Sequence, residues 1–264
     1  DTKRNNEFVL HIGKVVKGKL EKNSTVHAKV DIQRRNAIRR NHTATHILHY
    51  ALCRVIGQHA EQAGSLVASD RMRFDFQHFS GLTREELTQI EDIVNEKILE
   101  NAPLSVKEMT IQEAKKAGAK ALFGEKYGER VRMVSVGDFS KELCGGTHVN
   151  NSGEIGLFKI ISESSCAAGI RRIEAMTGLS ALNRIREKED IIQEMCGILN
   201  INEEKLAAKT QALLDDMKNL QKDFQKTKQK EIIGKVDSII ESAKEVSGVK
   251  IITKNMGDAS IDDL

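Results

Sequence analysis

The chain has 264 residues, enough for more than one folding unit and a substantial core. Its 41 Lys and Arg stand against 38 Asp and Glu, a formal charge of +3, so bulk charge excludes neither protein nor nucleic-acid partners. No run approaches the ~18 apolar residues of a membrane span and no signal peptide opens the sequence, so a cytoplasmic protein without a membrane partner is expected.

The distribution of charge says more than its sum. Residues 1–40 hold eleven Lys and Arg and four Asp and Glu, a local positive field suited to a polyanion such as RNA, or equally to a solvated face. Four cysteines, Cys53, Cys144, Cys166 and Cys196, lack the regular spacing of a disulfide framework and are expected as free thiols or metal ligands in a reducing compartment. The chain opens at Asp1 and stops soon after the apolar run "GVKIIT", which suggests a piece of something longer.

In chain order, residues 7–31 alternate apolar and polar positions between Gly13, Gly18 and "EKNST", which predicts short strands in a small sheet or β-barrel-like subdomain over 1–40. From Asn41 to Gly57 the period becomes helical, with Ala44, Ile47, Leu48, Ala51, Leu52 and Val55 as the apolar stripe, Asn41 as cap and Gly57 as stop. "GSLVASDRMRFDFQHF" reads as strands, with Phe74 and Phe76 on one face and Arg73 and Asp75 on the other. Thr83 and Glu86 are placed as a capping box for a helix to about Asn101, closed by Pro103. Strands at "LSVKEMT", "VRMVSVGD", "GEIGLFKIISESS" and "AAGIRRIEAMTG", with a short helix at "IQEAKKAGAKAL", complete an α+β domain over 41–178. Residues 179–247 become rich in Lys, Glu, Gln and Leu, with a break near "GILNIN". Leu206, Leu213 and Leu220 then recur every seven, which predicts a long coiled-coil-like helix, preferably a hairpin against the helix before it or else a dimer seam over 202–246. Residues 248–264 are expected to begin a further, truncated globular domain.

Two half-motifs carry chemistry. "NHTATH" sets His42 and His46 four apart, hence on one helix face with Cβ atoms about 5–6 Å apart. "CGGTH" repeats that spacing with Cys144 and His148 around two glycines that allow a tight turn. Three imidazoles and a thiolate suit tetrahedral zinc. His49 and Cys53 continue the stripe of His42 and His46, so spacing alone leaves them as competing ligands. A zincin peptidase would need a glutamate at position 43, which is Thr; the deaminase, nucleophile-elbow, P-loop and dinucleotide motifs are absent.

"RNHTATHILHYAL", "GSLV", "RFDFQHF", "ALFGEKYGERVRMVSVGDFSKELCGGTHV", "GEIGLFKI" and "AAGIRRIEAMTG" together resemble, in order through 11–178, the editing domain of alanyl-tRNA synthetases. They also resemble freestanding alanyl-tRNA editing proteins and, more distantly, the editing domain of threonyl-tRNA synthetases. The resemblance implies hydrolysis of the ester of alanine tRNA mischarged with serine or glycine. It implies one zinc ion on His42, His46, Cys144 and His148, and Thr45 and Gln62 in the pocket for the misacylated residue, with Cys144 and these two as the catalytic set. Arg171, the first arginine of "GIRRIEA", is implied at the tRNA end or in the integrity of the site. Phosphate contacts from Arg35, Arg39, Arg40, Lys126, Arg171 and Arg172 are candidates, since with no Trp and two Tyr the chain is poor in stacking platforms. Full synthetases of this kind also join alanine to tRNA with ATP and magnesium, but no stretch here resembles that active site. A freestanding editor and a non-catalytic zinc-stabilised RNA-binding or coiled-coil module are the rival readings.

A second sieve is needed because a synthetic pocket shaped for a methyl group rejects an added hydroxyl or a missing carbon poorly. Zinc could activate water or orient substrate, and either role needs an open coordination position.

Overall fold

The computed structural model describes residues 2–5, 8–120 and 128–253. The hairpin of β1 (Thr2–Asn5) and β2 (Phe8–His11) opens it. Residues 12–31 then form no regular strand, and Val15, Val16, Leu20 and Val26 lie exposed, so among the described residues the expected barrel is not formed. Alternation marks which side chains a strand would bury, but this segment finds no second surface to bury them against.

α1 (Ile32–Val55) begins earlier than the apolar stripe indicated. Asp31 is the cap, its carboxylate accepting from the Arg34 amide at 3.0 Å, and "IQRRNAIRR" holds neither Gly nor Pro to delay the helix. The border expected at 40/41 therefore falls inside a helix. Asn41 sits mid-helix and buried, donating to the Ala68 carbonyl at 2.8 Å and accepting from the Thr177 hydroxyl at 2.7 Å. Gly57, at φ +110°, follows the last turn as expected.

β3 (Gln62–Val67) and β4 (Met72–Gln77) form a hairpin, followed by α2 (Arg84–Leu99), which carries the Thr83–Glu86 capping box in full. β5 (Leu104–Thr110) leads through α3 (Ile111–Lys116) to β6 (Arg130–Val136) and β7 (Ser140–Leu143), which make a three-stranded antiparallel sheet in the order β5-β6-β7. A 3-10 turn at Ser152–Ile155 precedes β8 (Phe158–Ala167) and β9 (Ile170–Thr177). These join the first hairpin in a four-stranded antiparallel sheet, order β3-β4-β9-β8.

The main core lies between α1, α2 and this sheet. Ile47, Leu48 and Leu52 of α1 meet Phe74 and Phe76 of β4, Ile90 and Val94 of α2, Phe158 and Ile173, all fully buried. Each such side chain contributes about 1.5–3 kcal/mol by leaving water, which holds the middle of α1 in place. A smaller core of Ala114, Val131, Met133 and Leu143 holds α3 on the second sheet. α1 also touches β7, so the helix bridges both sheets.

The chain divides into two compact units, 1–184 and 185–264. α4 (Gly178–Leu199) ends at the "GILNIN" break, where Asn200 takes φ +50°, and α5 (Leu206–Glu241) follows a 3-10 turn at Glu203–Lys205. The preferred hairpin is not what the second unit forms: Leu213, Met217, Leu220 and Phe224 of α5 are 41–72% exposed, so the preceding helix does not cover the seam. β10 (Lys244–Val246) and β11 (Val249–Ile251) form a hairpin about a turn at Ser247–Gly248. Of the last expected domain, 254–264 lies outside the described residues. Among the described residues no helix is long and apolar enough to cross a membrane.

Candidate metal centre

α1 supplies His42 and His46 from adjacent turns, and the loop after β7 supplies Cys144 and His148. One ligating atom from each of the four lies within 4.8 Å of every other. The Cys144 sulfur is 3.3 Å from His42 Nε2 and 3.4 Å from His148 Nε2. On tetrahedral zinc, bonds of about 2.3 Å to sulfur and 2.0–2.1 Å to nitrogen place those atoms about 3.5 Å apart. The donor set therefore fits such an ion in chemistry and in spacing.

Gly146 is what lets the loop approach the helix: a Cβ there would meet His42 Cε1 at 1.7 Å, whereas one at Gly145 would meet nothing. Neither glycine has positive φ, so close approach, not turn strain, requires the second of the pair. Arg132 on β6 pins the loop by donating to the carbonyls of Cys144 and Gly146 at 2.8 and 2.7 Å. Arg39 on α1 donates to the His148 carbonyl.

Neighbouring groups fix the imidazoles. The Thr43 hydroxyl donates its only hydrogen to the Arg39 carbonyl at 2.9 Å and lies 3.2 Å from His148 Nδ1. His148 must therefore donate from Nδ1, leaving the Nε2 lone pair toward Cys144. Glu142 Oε2 lies 2.8 Å from His46 Nδ1, at an angle outside that of a good hydrogen bond, and Oε1 accepts from His49 Nδ1 at 2.8 Å.

Without a cation the charges settle among these groups. Burial would raise the Cys144 thiol, but hydrogen bonds from His148, His42 and His46 bring it down to about 3. Burial works against an imidazolium at His46 and the Glu142 carboxylate overcomes it, raising the group to about 10. Burial lowers His148 to about 4. Glu142 is held well below the carboxylate range: burial opposes its charge, and His46 and His49 more than offset that. A buried thiolate and a buried carboxylate on either side of the His46 ring call for positive charge between them, which a proton on His46 provides in the metal-free chain and a divalent cation would provide when bound.

The remaining expected residues are distributed as follows. Thr45 is buried on α1, its hydroxyl donating to the His42 carbonyl at 2.6 Å. Gln62 is the first residue of β3 and donates to Ser65 Oγ at 3.1 Å. Arg171 forms a two-pronged pair with Glu163 at 2.5 and 2.7 Å, and Arg172 one with Asp75 across the β4–β9 register at 2.7 and 2.9 Å. Both arginines are thus held by carboxylates. Arg40 packs beside Gly178 with its Nε buried and unpartnered, and Arg35 is exposed. Lys126 lies outside the described residues. His49 and Cys53, the competing pair, stand outside the cluster: His49 bonds Glu142, and Cys53 accepts from Lys120 Nζ at 3.2 Å.

Sequence reasoning missed Glu142, Thr43 and Arg132. Only Glu142 left a signal, since it precedes Cys144 by two and residues so spaced face the same side of a strand.

Comparison with known proteins follows the same division. Residues 131–174, from β6 through the Cys144–His148 loop into β9, match the family described as the threonyl and alanyl tRNA synthetase second additional domain. Along nearly its whole length the chain is 47% identical, over 251 residues, to an alanine–tRNA ligase of Acetivibrio thermocellus, covering 95% of this chain and 28% of that protein. Nearly the whole of this chain is therefore similar to one part of an alanine–tRNA ligase. It is 45% identical over 258 residues to the ligase of a Thermoanaerobacter species, and 47% over 252 to that of Coxiella burnetii, each time covering 29% of the relative. This alanine–tRNA ligase homologue thus spans less than a third of the length of the curated relatives it matches.

Proposed function

We propose that the chain is the proofreading segment of an alanine–tRNA ligase and hydrolyses the ester joining serine or glycine to the 3' end of mischarged tRNA(Ala), in the cytoplasm. The observation that carries the reading is the convergence of His42 and His46 with Cys144 and His148, the last two inside the segment that matches a tRNA synthetase domain family. Zinc is the proposed ion, supplying Lewis acidity toward the ester carbonyl or a fixed point for the substrate. Joining alanine to tRNA with ATP and magnesium is assigned to the parts of such ligases that this chain does not span.

The chain's own groups divide the remaining work. The Thr45 hydroxyl has committed its hydrogen to the His42 carbonyl, so its lone pairs are free to accept from a serine hydroxyl. Alanine leaves that acceptor unpaired and binds worse by about 1–3 kcal/mol. Glycine carries no hydroxyl, and its removal needs another cause. Gln62 is proposed to line the same pocket. Arg39, Arg40, Arg171, Arg172 and Lys126 are proposed to face the tRNA, and α5 to pair with its copy in a homodimer over 202–246.

The decisive assay incubates the purified chain with tRNA(Ala) charged with labelled serine or labelled alanine and follows release. Faster release of serine than of alanine, abolished by Cys144→Ala, is expected. Release no faster than the Cys144→Ala control for either amino acid would leave a non-catalytic metal-stabilised module.

A further inference from the structure

α1 presents three imidazoles, His42, His46 and His49, on one stripe, and helical spacing gives no reason why the third should stay off the metal. The second sheet brings the deciding group. Glu142, on β7 and 5% exposed, reaches between two helical histidines that are themselves 4% and 5% exposed. Its Oε2 meets His46 Nδ1 and its Oε1 meets His49 Nδ1, each at 2.8 Å.

We propose that Glu142 is a positioning residue that sorts these two imidazoles, committing His46 to the metal through Nε2 and withholding His49 from it. The inference rests on the metal reading above.

An ionised carboxylate only accepts, so His49 carries its proton on Nδ1; the carboxylate charge 2.8 Å from His46 Nδ1 favours a proton there too, which leaves Nε2 of each ring for another partner. His46 turns that nitrogen into the cluster. His49 lies one helical turn before Cys53, whose sulfur accepts from Lys120 Nζ. One carboxylate thus favours the same tautomer on both rings. It also places a negative charge behind His46, which makes Nε2 a better donor to a cation. Thr43 plays the neutral counterpart behind His148.

The test measures zinc affinity of the full chain by competition with a chromophoric chelator, with cobalt(II) as a spectroscopic probe of the ligand set. Glu142→Gln removes the charge at constant shape, and Glu142→Asp keeps the charge but shortens the reach. Both are expected to bind zinc about 10–100-fold more weakly, with the thiolate–cobalt band retained because Cys144 is untouched. His49→Gln is expected to leave zinc affinity and the cobalt spectrum unchanged, and His46→Gln to lose the tight site without rescue by His49. Circular dichroism and thermal unfolding in chelator check that each variant is folded. Should both Glu142 variants unfold, the His49→Gln and His46→Gln pair still decides which ring the metal uses. A folded Glu142→Gln protein with wild-type zinc affinity overturns the proposal, as does a large loss of affinity in His49→Gln. A wild-type chain that takes up neither zinc nor cobalt rejects the metal reading itself, a separate result.

Discussion

At Gly146 a single methyl group decides whether the two halves of the site can meet. Its Cα faces the His42 ring so closely that an alanine Cβ would overlap it, while the adjacent Gly145 faces open space. Gly146→Ala is therefore expected to displace His42, cost about 1–3 kcal/mol of stability as an overpacked contact and drop bound zinc well below one per chain; Gly145→Ala should match wild type in both. Elemental analysis and thermal unfolding read the difference. Thr45 carries the other residue-level prediction: Thr45→Val keeps the shape and removes the acceptor, so the preference for serine over alanine should narrow by about 5- to 100-fold, the equivalent of one buried hydrogen bond, measured as the ratio of deacylation rates. The four candidate donors were legible because "HxxxH" and "CxxxH" each place two such side chains at a fixed local spacing. The choice of His46 over His49 was not, because the group that separates them, Glu142, comes from a strand far along the chain.

Among the elements, those whose signals are local came through as read. The Thr83–Glu86 capping box starts α2, and Phe74 and Phe76 face the core as the alternation of "RFDF" required. Asp75, on the other face, is buried too, because Arg172 across the register neutralises it. Asn41 misled for the opposite reason: an amide suited to capping is spent on two tertiary hydrogen bonds that tie α1 to the Ala68 carbonyl and to Thr177. α5 retains its heptad leucines but presents them to solvent from Leu213 onward. Exposed apolar side chains in such a row favour self-association. Sedimentation at rising concentration should show a dimer that Leu220→Lys abolishes; a wild-type chain that stays monomeric throughout removes the dimer proposal.

For the whole molecule, a near-neutral total conceals a basic amino-terminal stretch in which Lys14, Lys17, Lys19, Lys22, Lys29, Arg34 and Arg35 are all exposed. If those groups meet tRNA phosphates, affinity should fall steeply with salt. Replacing Lys17 and Lys19 with Ala should then flatten the slope of log K against log salt by about 0.7–0.9 for each contact removed, without changing the serine-to-alanine rate ratio. An unchanged slope would place tRNA binding elsewhere on the chain.

By itself the sequence determined the four candidate donor residues, the period of elements such as α2, β4 and β9, and the α+β character, because these depend on neighbours within a few positions along the chain. Only the tertiary structure decided which imidazoles converge, which arginines are already held by carboxylates, and that the amino-terminal strands do not close a barrel among the described residues. Each of these depends on surfaces brought together from distant parts of the chain by burial of the common core, and local periodicity carries no record of which distant surface that will be.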